Sequence, residues 1–418
     1  MRRPAVPTGS AVSRTSGLHA DPALILSPLW ASAFRPFYLL GALYAPLLMA
    51  AWLGAHLGFW SLSPGGVSLK LLHGHEFIYG FATAIISGVV LTALPSWAGT
   101  EEIDGHRLML LVGLWLAGRI AFWSAPWLPA PLPALIDCLL FPSAILMLLP
   151  QLLRARNRLY LLLLPILLAL FAGNLAYYQG IATGNELLAW KALRLAIYAI
   201  VVLYVLKGGV LAPVFTGNAL REKGRGDQAG FLMPLEFAAT AAVVLLAACD
   251  LGGAPSAWTG TCALACTLLH AWRCARWQGW RVADVPLLLV MHLGFAWLVL
   301  AFALKAAAEL SGVVPEAAWL HAFTVGSLGL MMLGLMTRVS LRHTGRPLVV
   351  PRSMLAAYAL VFVAALLRLT ATVHGLGPAV IAFAAALWAA AFALYFLRFR
   401  RSLLAPSLPR PSQPGGKE

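Results

Sequence analysis

The residue type in this sequence best suited to holding a metal is histidine, and its tightest grouping is His73-Gly74-His75-Glu76. Neutral imidazole is the commonest metal ligand among side chains and a usual axial ligand of haem. In a regular helix, residues two apart point about 200° apart, so His73 and His75 would face different centres. A helix start loosened by Gly74 would let them share one. Glu76 lies one turn from His73 and could orient its imidazole, as carboxylates do beside metal-bound histidines. His321 and His292 stand far along the chain. Arg338, His343 and Arg346 form a second group, able to hold an anionic group such as a propionate or phosphate, or simply to anchor a helix end.

The elements that must position these residues are membrane helices. The chain has 418 residues, 61% of them hydrophobic and only 11% charged, and its mean hydropathy is +0.82. Soluble domains carry about a quarter charged residues, so a soluble enzyme, a nucleic-acid-binding module and a disordered chain are all excluded. The net charge of +15 reflects membrane topology rather than a DNA-binding face. A spanning helix needs roughly 20 mostly apolar residues. Twelve runs qualify, near 37–60, 73–97, 107–125, 133–153, 159–182, 190–215, 231–250, 256–274, 285–310, 319–340, 353–374 and 377–398. Lys and Arg crowd one side of this pattern and leave only Lys70 and Lys191 on the outer loops. The asymmetry places both termini in the cytoplasm. The expectation is an all-α polytopic membrane protein: a disordered cytoplasmic tail over 1–30, twelve spans over 31–401 and a second such tail over 402–418. No short internal repeat is evident by eye.

Ionisable side chains inside a span are costly and need a partner or a task. Arg119 and Asp137 are equally far from the turn Pro126-Trp127-Leu128-Pro129 and should meet as an ion pair. Lys207 and Glu236 sit at comparable depths and invite the same reading. Lys305 and Glu309, four apart, are expected to snorkel to the outer surface. The histidines form two layers, with His56, His73, His75, His321 and His374 toward the outer face and His106, His270, His292 and His343 toward the inner. His321 opens its span on the side of His73 and His75 and can approach either; His292 lies too deep to join them. Cys262, Cys266, His270 and Cys274 make a stripe over about 18 Å of helix, too long for one tetrahedral metal. Packing is the plainer role for them, as for Met331, Met332 and Met336.

Four stretches resemble a known family, the NnrS membrane proteins. They are Phe34-Arg35-Pro36-Phe37; His73-Gly74-His75-Glu76 with Gly80-Phe81; Met291-His292-Leu293-Gly294-Phe295-Ala296-Trp297; and the run from His321-Ala322-Phe323-Thr324-Val325-Gly326 through Met336-Thr337-Arg338 to His343-Thr344-Gly345-Arg346-Pro347. The resemblance covers nearly the whole membrane region. Gly74 stands where the family often has Ala, and 212–218 is a variant of the family pattern. The resemblance implies a bacterial inner-membrane protein that binds haem and copper and acts in denitrification and in resistance to nitric oxide and nitrosative stress.

Together the residues and the resemblance give an outer metal site of His73, His75 and His321, with Glu76 supporting it. His292 is a further ligand candidate, and Arg338, His343 and Arg346 are candidates for the haem propionates. No Cys-x-x-Cys-His is present, so any haem would be held non-covalently. Three functions follow: a haem/copper protein that binds nitric oxide; an oxidoreductase that consumes it and needs an electron donor; or a transporter of a metal, haem or small solute. The expected partners are nitric oxide and the lipid bilayer, with no nucleic acid.

Overall fold

The structure is a computed structural model and describes residues 27–409. Most of both expected tails lies outside the described residues. Within them, Pro28–Ala31 forms a short 3-10 turn and the last helix continues to Leu404.

Among the described residues there is no strand. Twelve long helices follow one another: α1 Phe34–His56, α2 Leu69–Ala98, α3 Gly105–Trp123, α4 Pro131–Arg154, α5 Arg158–Ala182, α6 Glu186–Glu222, α7 Met233–Gly252, α8 Ser256–Trp277, α9 Pro286–Ser311, α10 Ala317–His343, α11 Arg352–His374 and α12 Pro378–Leu404. Eleven are long and apolar enough to cross a membrane. The twelfth, α8, spans 22 residues; Thr259, Thr261, His270, Arg273 and Arg276 lower its apolarity, but it packs between α7 and α9 like its neighbours. The chain is a multi-pass membrane protein. Local chemistry sets the helix starts: the Ser68 side chain accepts from the Leu71 amide at 3.4 Å, and Asn185 does the same for Leu188 at 3.0 Å, satisfying amides that a helix start leaves bare.

α2, α6 and α10 are the most deeply buried of the eleven spans. They surround a small apolar cavity lined by Ile85, Val89, Leu203, Lys207, Met331 and Leu335, among others. Each of the three contains a π-helical segment, at Glu76–Ala82, Tyr204–Gly208 and Ala322–Leu328. Two of these segments reveal a repeat that is not evident by eye in the sequence. His75-Glu76-Phe77-Ile78-Tyr79-Gly80 and His321-Ala322-Phe323-Thr324-Val325-Gly326 share the pattern His-x-Phe-x-x-Gly. In each case the π segment begins directly after the histidine. π-Bulges of this kind are rare and frequent at functional sites. Both glycines are demanded by close approach: a Cβ at Gly80 would lie 2.6 Å from the Tyr44 ring, and one at Gly326 would lie 2.5 Å from the Trp297 ring.

α12 packs along α1, and Arg35 ties the start of α1 to the end of α12 and the segment after it. Its guanidinium donates to the carbonyls of Leu403 at 2.8 Å and Ala405 at 2.7 Å, and to the Ser407 hydroxyl at 2.8 Å. Ser407 in turn donates to the His343 carbonyl and the Leu408 amide to the Thr344 carbonyl, both at 2.9 Å. Beyond the helix ends, Asp284 receives Arg225 at 2.6 Å and Lys223 at 2.7 Å. These bonds hold its carboxyl well below the ordinary carboxylate range. The clasp is therefore in place at neutral pH and is lost only as strong acid protonates Asp284.

Candidate functional site

At the end of the bundle where α1 finishes and α2 begins, four helices bring three histidines and an arginine into one neighbourhood. His56 ends α1, His73 lies in the first turns of α2, His321 lies in the first turns of α10 and Arg368 belongs to α11. His73 is within electrostatic reach of His321, Arg368 and His56. The rings of His56 and His73 each pack on Trp52 with centroids 4.8 Å away, and Phe77 closes on His73 at 4.6 Å. His56 Nε2 and His73 Nδ1 are buried and have no hydrogen-bond partner. Buried polar atoms without partners are uncommon in folded proteins and call for an explanation. His321 differs: its Nδ1 faces the Ala317 carbonyl at 2.7 Å, and Arg368 Nη2 donates to its Nε2 at 3.0 Å. The carbonyl requires a proton on Nδ1, which leaves Nε2 with the lone pair that Arg368 occupies.

His75 has other company. The helix is regular through His75, so His73 and His75 point to opposite faces as the 200° rule requires. The His75 ring is fully buried and stacked between Phe122 at 4.7 Å and Tyr177 at 4.3 Å. Its Nδ1 meets Glu76 Oε1 at 3.0 Å and its Nε2 meets Asn174 Oδ1 at 2.9 Å, with Asp137 Oδ2 at 3.3 Å. The Asn174 amide donates to Asp137 Oδ2 at 3.2 Å, which fixes its oxygen toward His75. Arg119 pairs with both Glu76 and Asp137, Tyr178 donates to Asp137 at 3.0 Å, and Tyr44 donates to Glu76 while accepting from Trp123 at 2.8 Å. Both His75 nitrogens therefore face oxygen acceptors, the arrangement of an imidazolium. With His75 charged, two carboxylates balance two cations.

The structure thus divides the histidines expected at the outer face. His73 and His321 come together as expected, His56 joins them, and His75 stands apart. Glu76 does not orient His73; it belongs to His75, Arg119 and Tyr44. The Arg119–Asp137 pair forms as the sequence suggests. The Lys207–Glu236 pair does not: Glu236 is taken by Arg273, and the Lys207 amine lies over the rings of Tyr160 at 4.1 Å and Trp97 at 5.5 Å. Lys305 meets Glu309 at 2.7 Å, but it does not snorkel. It is fully buried and also pairs with Asp250 at 2.6 Å and Glu316 at 3.3 Å.

The other candidates are scattered. His292 Nε2 faces Thr216 Oγ1 at 2.9 Å, remote from the outer cluster. At the far end of α10, Arg338 lies over the Phe215 ring at 3.7 Å, His343 packs on Phe34 with ring centroids 5.7 Å apart, and Arg346 donates to the Thr344 carbonyl at 3.4 Å. Cys266 is buried, and Met331, Met332 and Met336 are core residues as expected. Among the described residues, one group of three side chains has its ligand atoms within 4.8 Å of one another: Asp250, Glu309 and Glu316. Lys305 bonds to all three, and Arg194 reaches Glu316 at 2.7 Å, so these carboxylates are already satisfied by cations.

Sequence reasoning placed His56 in the outer layer but passed over it as a ligand, and Arg368 went unremarked. A histidine at the last position of one span and an arginine near the end of another were the available signals. No curated protein matches the chain. A family model described as NnrS protein matches residues 28–407, nearly all of the described chain, and the protein belongs to the NnrS family.

Proposed function

We propose that the His56–His73–His321 cluster is where this protein holds a redox metal, haem iron or copper, and that nitric oxide is its ligand. Membership of the NnrS family supports a role in the nitric oxide response. The observation that carries the metal reading is the pair of buried, unpartnered imidazole nitrogens, His56 Nε2 and His73 Nδ1, brought together from two helices. Bilayer-buried polar atoms of this kind are unfavourable unless something binds them. Imidazoles in a largely apolar surround suit haem iron or copper better than magnesium or calcium, which prefer oxygen. His321 would add a third ligand through Nε2 once Arg368 releases it. Such a metal supplies a direct coordination site for a small diatomic. The chain's own part is to present the nitrogens and to exclude water, with Trp52 and Phe77 covering the rings. The membrane is the bacterial inner membrane, both termini facing the cytoplasm.

The neighbouring His75 network holds the start of α2 in place rather than taking the metal, because both of its ring nitrogens are already committed. The transporter reading draws on the π segments of the three central helices. Against it, the carboxylates Glu76, Asp137, Asp250 and Glu236 within the spans are all paired with cations rather than lining an open path.

The test is an absorption spectrum and metal analysis of the detergent-purified protein, oxidised and reduced, with and without nitric oxide. Stoichiometric iron or copper that shifts on adding nitric oxide, and is lost in His73→Ala and His56→Ala, is the expected result. Metal retained undiminished in both variants would sink the assignment.

A further inference from the structure

Four of the five cysteines lie on α7 and α8, and they are not equivalent. Cys266 is fully buried. Cys249 and Cys262 are half-buried, and their Sγ atoms lie 3.9 Å apart across the α7–α8 interface. The four-residue stripe along α8 therefore divides, with Cys262 turned to α7. Cys249 is three residues from the end of α7 at Gly252, and Cys262 is six from the start of α8 at Ser256. Both thiols thus sit within about 10 Å of the ends of their helices. α7 is also the least buried of the eleven apolar spans, so packing holds it less firmly than its neighbours. This end of it is tied through Asp250, which accepts from Tyr198 of α6 at 3.0 Å and from Lys305 of α9 at 2.6 Å. The thiol pair faces the third neighbour, α8.

We infer that Cys249 and Cys262 form a reversible disulfide that fastens α7 to α8. Closing the pair requires about 2 Å of approach, the size of movement that rotation about a Cα–Cβ bond gives a sulfur. The oxidant is a second disulfide, carried by a small molecule or an exchange protein. One thiolate attacks it, a mixed disulfide forms and one thiol leaves. The other thiolate then attacks the cysteine sulfur of that mixed disulfide and expels the second thiol. The pair gives up two protons and two electrons, and the oxidant's disulfide becomes two thiols. On the topology proposed above, this end of α7 faces outward, the side on which disulfides form and persist. The crosslink removes freedom from the unfolded chain and adds a covalent tie where the least buried span has few others. The inference needs neither the metal nor the histidine cluster, because the pair stands on different helices from His56, His73 and His321.

The experiment uses the full-length protein in detergent, with a chelator present so that no metal bridges the thiols. Reduced protein, freed of reductant, is treated with dipyridyl disulfide. It is then alkylated in denaturant and digested with chymotrypsin, which cuts between the two cysteines at Trp258, and the peptides are weighed. The expected result is that the five alkylated cysteines of the reduced chain fall to three. The peptides bearing Cys249 and Cys262 stay joined, with the mass of two hydrogens lost, and dithiothreitol separates them. The thermal midpoint of the oxidised protein lies a few degrees above that of the reduced protein. Cys249→Ser and Cys262→Ser show neither the joined peptides nor the rise, while Cys266→Ser behaves as the wild type. The inference is overturned if Cys249 and Cys262 stay free or each carry a separate pyridylthio group, or if the link runs to Cys266 instead. A disulfide at this pair that leaves the midpoint unchanged overturns the fastening role. Should a serine variant fail to fold, the wild-type peptide map and the midpoints of its oxidised and reduced forms decide.

Discussion

His73 and His75 are two residues apart and belong to different chemistries. His75 completes a closed set of charges with Glu76, Arg119 and Asp137, whereas His73 keeps a free nitrogen. Replacing His75 by Ala leaves two buried carboxylates sharing Arg119. Breaking a buried ionic set of this kind costs roughly 3–5 kcal/mol, so His75→Ala is expected to lower the thermal midpoint in detergent sharply while folded protein keeps the metal proposed for the His56–His73–His321 cluster. His73→Ala should do the reverse. If His75→Ala instead lost metal with its midpoint unchanged, His75 would be a ligand and the division between the two residues mistaken. The Arg119–Asp137 pair was legible in the sequence because both residues lie equally far from a turn of four residues, which sets them at one depth. Glu76 was not, because the guanidinium that takes its carboxylate is brought to it only by packing between helices. Arg119 is 43 positions away in the chain. Lys207 and Glu236 failed for the same reason: Arg273 on α8 reaches the carboxylate first, leaving the lysine to aromatic faces.

At the scale of the element, the π segments are what the helix count leaves out. A π turn inserts a residue, rotates the faces before and after it, and frees carbonyls from the regular ladder. The Gly80 carbonyl, inside the first of them, is taken up by the Trp115 indole at 2.9 Å. In α10 the segment brings Gly326 under the Trp297 ring. A valine there has no room, and overpacking of this order costs about 1–3 kcal/mol. Gly326→Val should therefore lower the thermal midpoint and disturb the nitric oxide binding proposed at His321, five residues away, while Gly113→Val on α3, where nothing lies within 4 Å of an added Cβ, should leave both unchanged. Equal effects at the two positions would remove the packing argument. Apolar periodicity cannot show such segments, since one inserted residue in an all-apolar helix leaves the hydropathy trace unaltered.

For the molecule as a whole, the basic-residue asymmetry implies an even number of passes, which the eleven apolar helices meet only with α8, the least apolar of the twelve, crossing as well. A fluorescent protein fused after Glu418 should mature and fluoresce, whereas alkaline phosphatase at the same place should be inactive, because only the cytoplasmic side favours the one and disfavours the other. The opposite pair of results would invert the topology and carry the histidine cluster to the inner face. Arg35, read in the sequence only as part of a recognisable stretch, proves to be the clasp between α1 and the segment after α12. Two ends of a chain can be joined in that way only once the helices between them have packed.

What the sequence determined by itself is the medium and the scaffold: apolar runs of spanning length admit no structure but helices in lipid, since each backbone polar group must be satisfied within its own segment. Charge in the loops gives the expected direction of each helix, and with it an expected end of the bundle for each histidine within the spans. Which histidines meet is decided by rotation about each helix axis, and that angle is set by contacts between helices far apart in sequence and by π turns that local composition does not reveal. The tertiary structure therefore assigned His56 and Arg368 to His73 and His321, and gave His75 to the carboxylates.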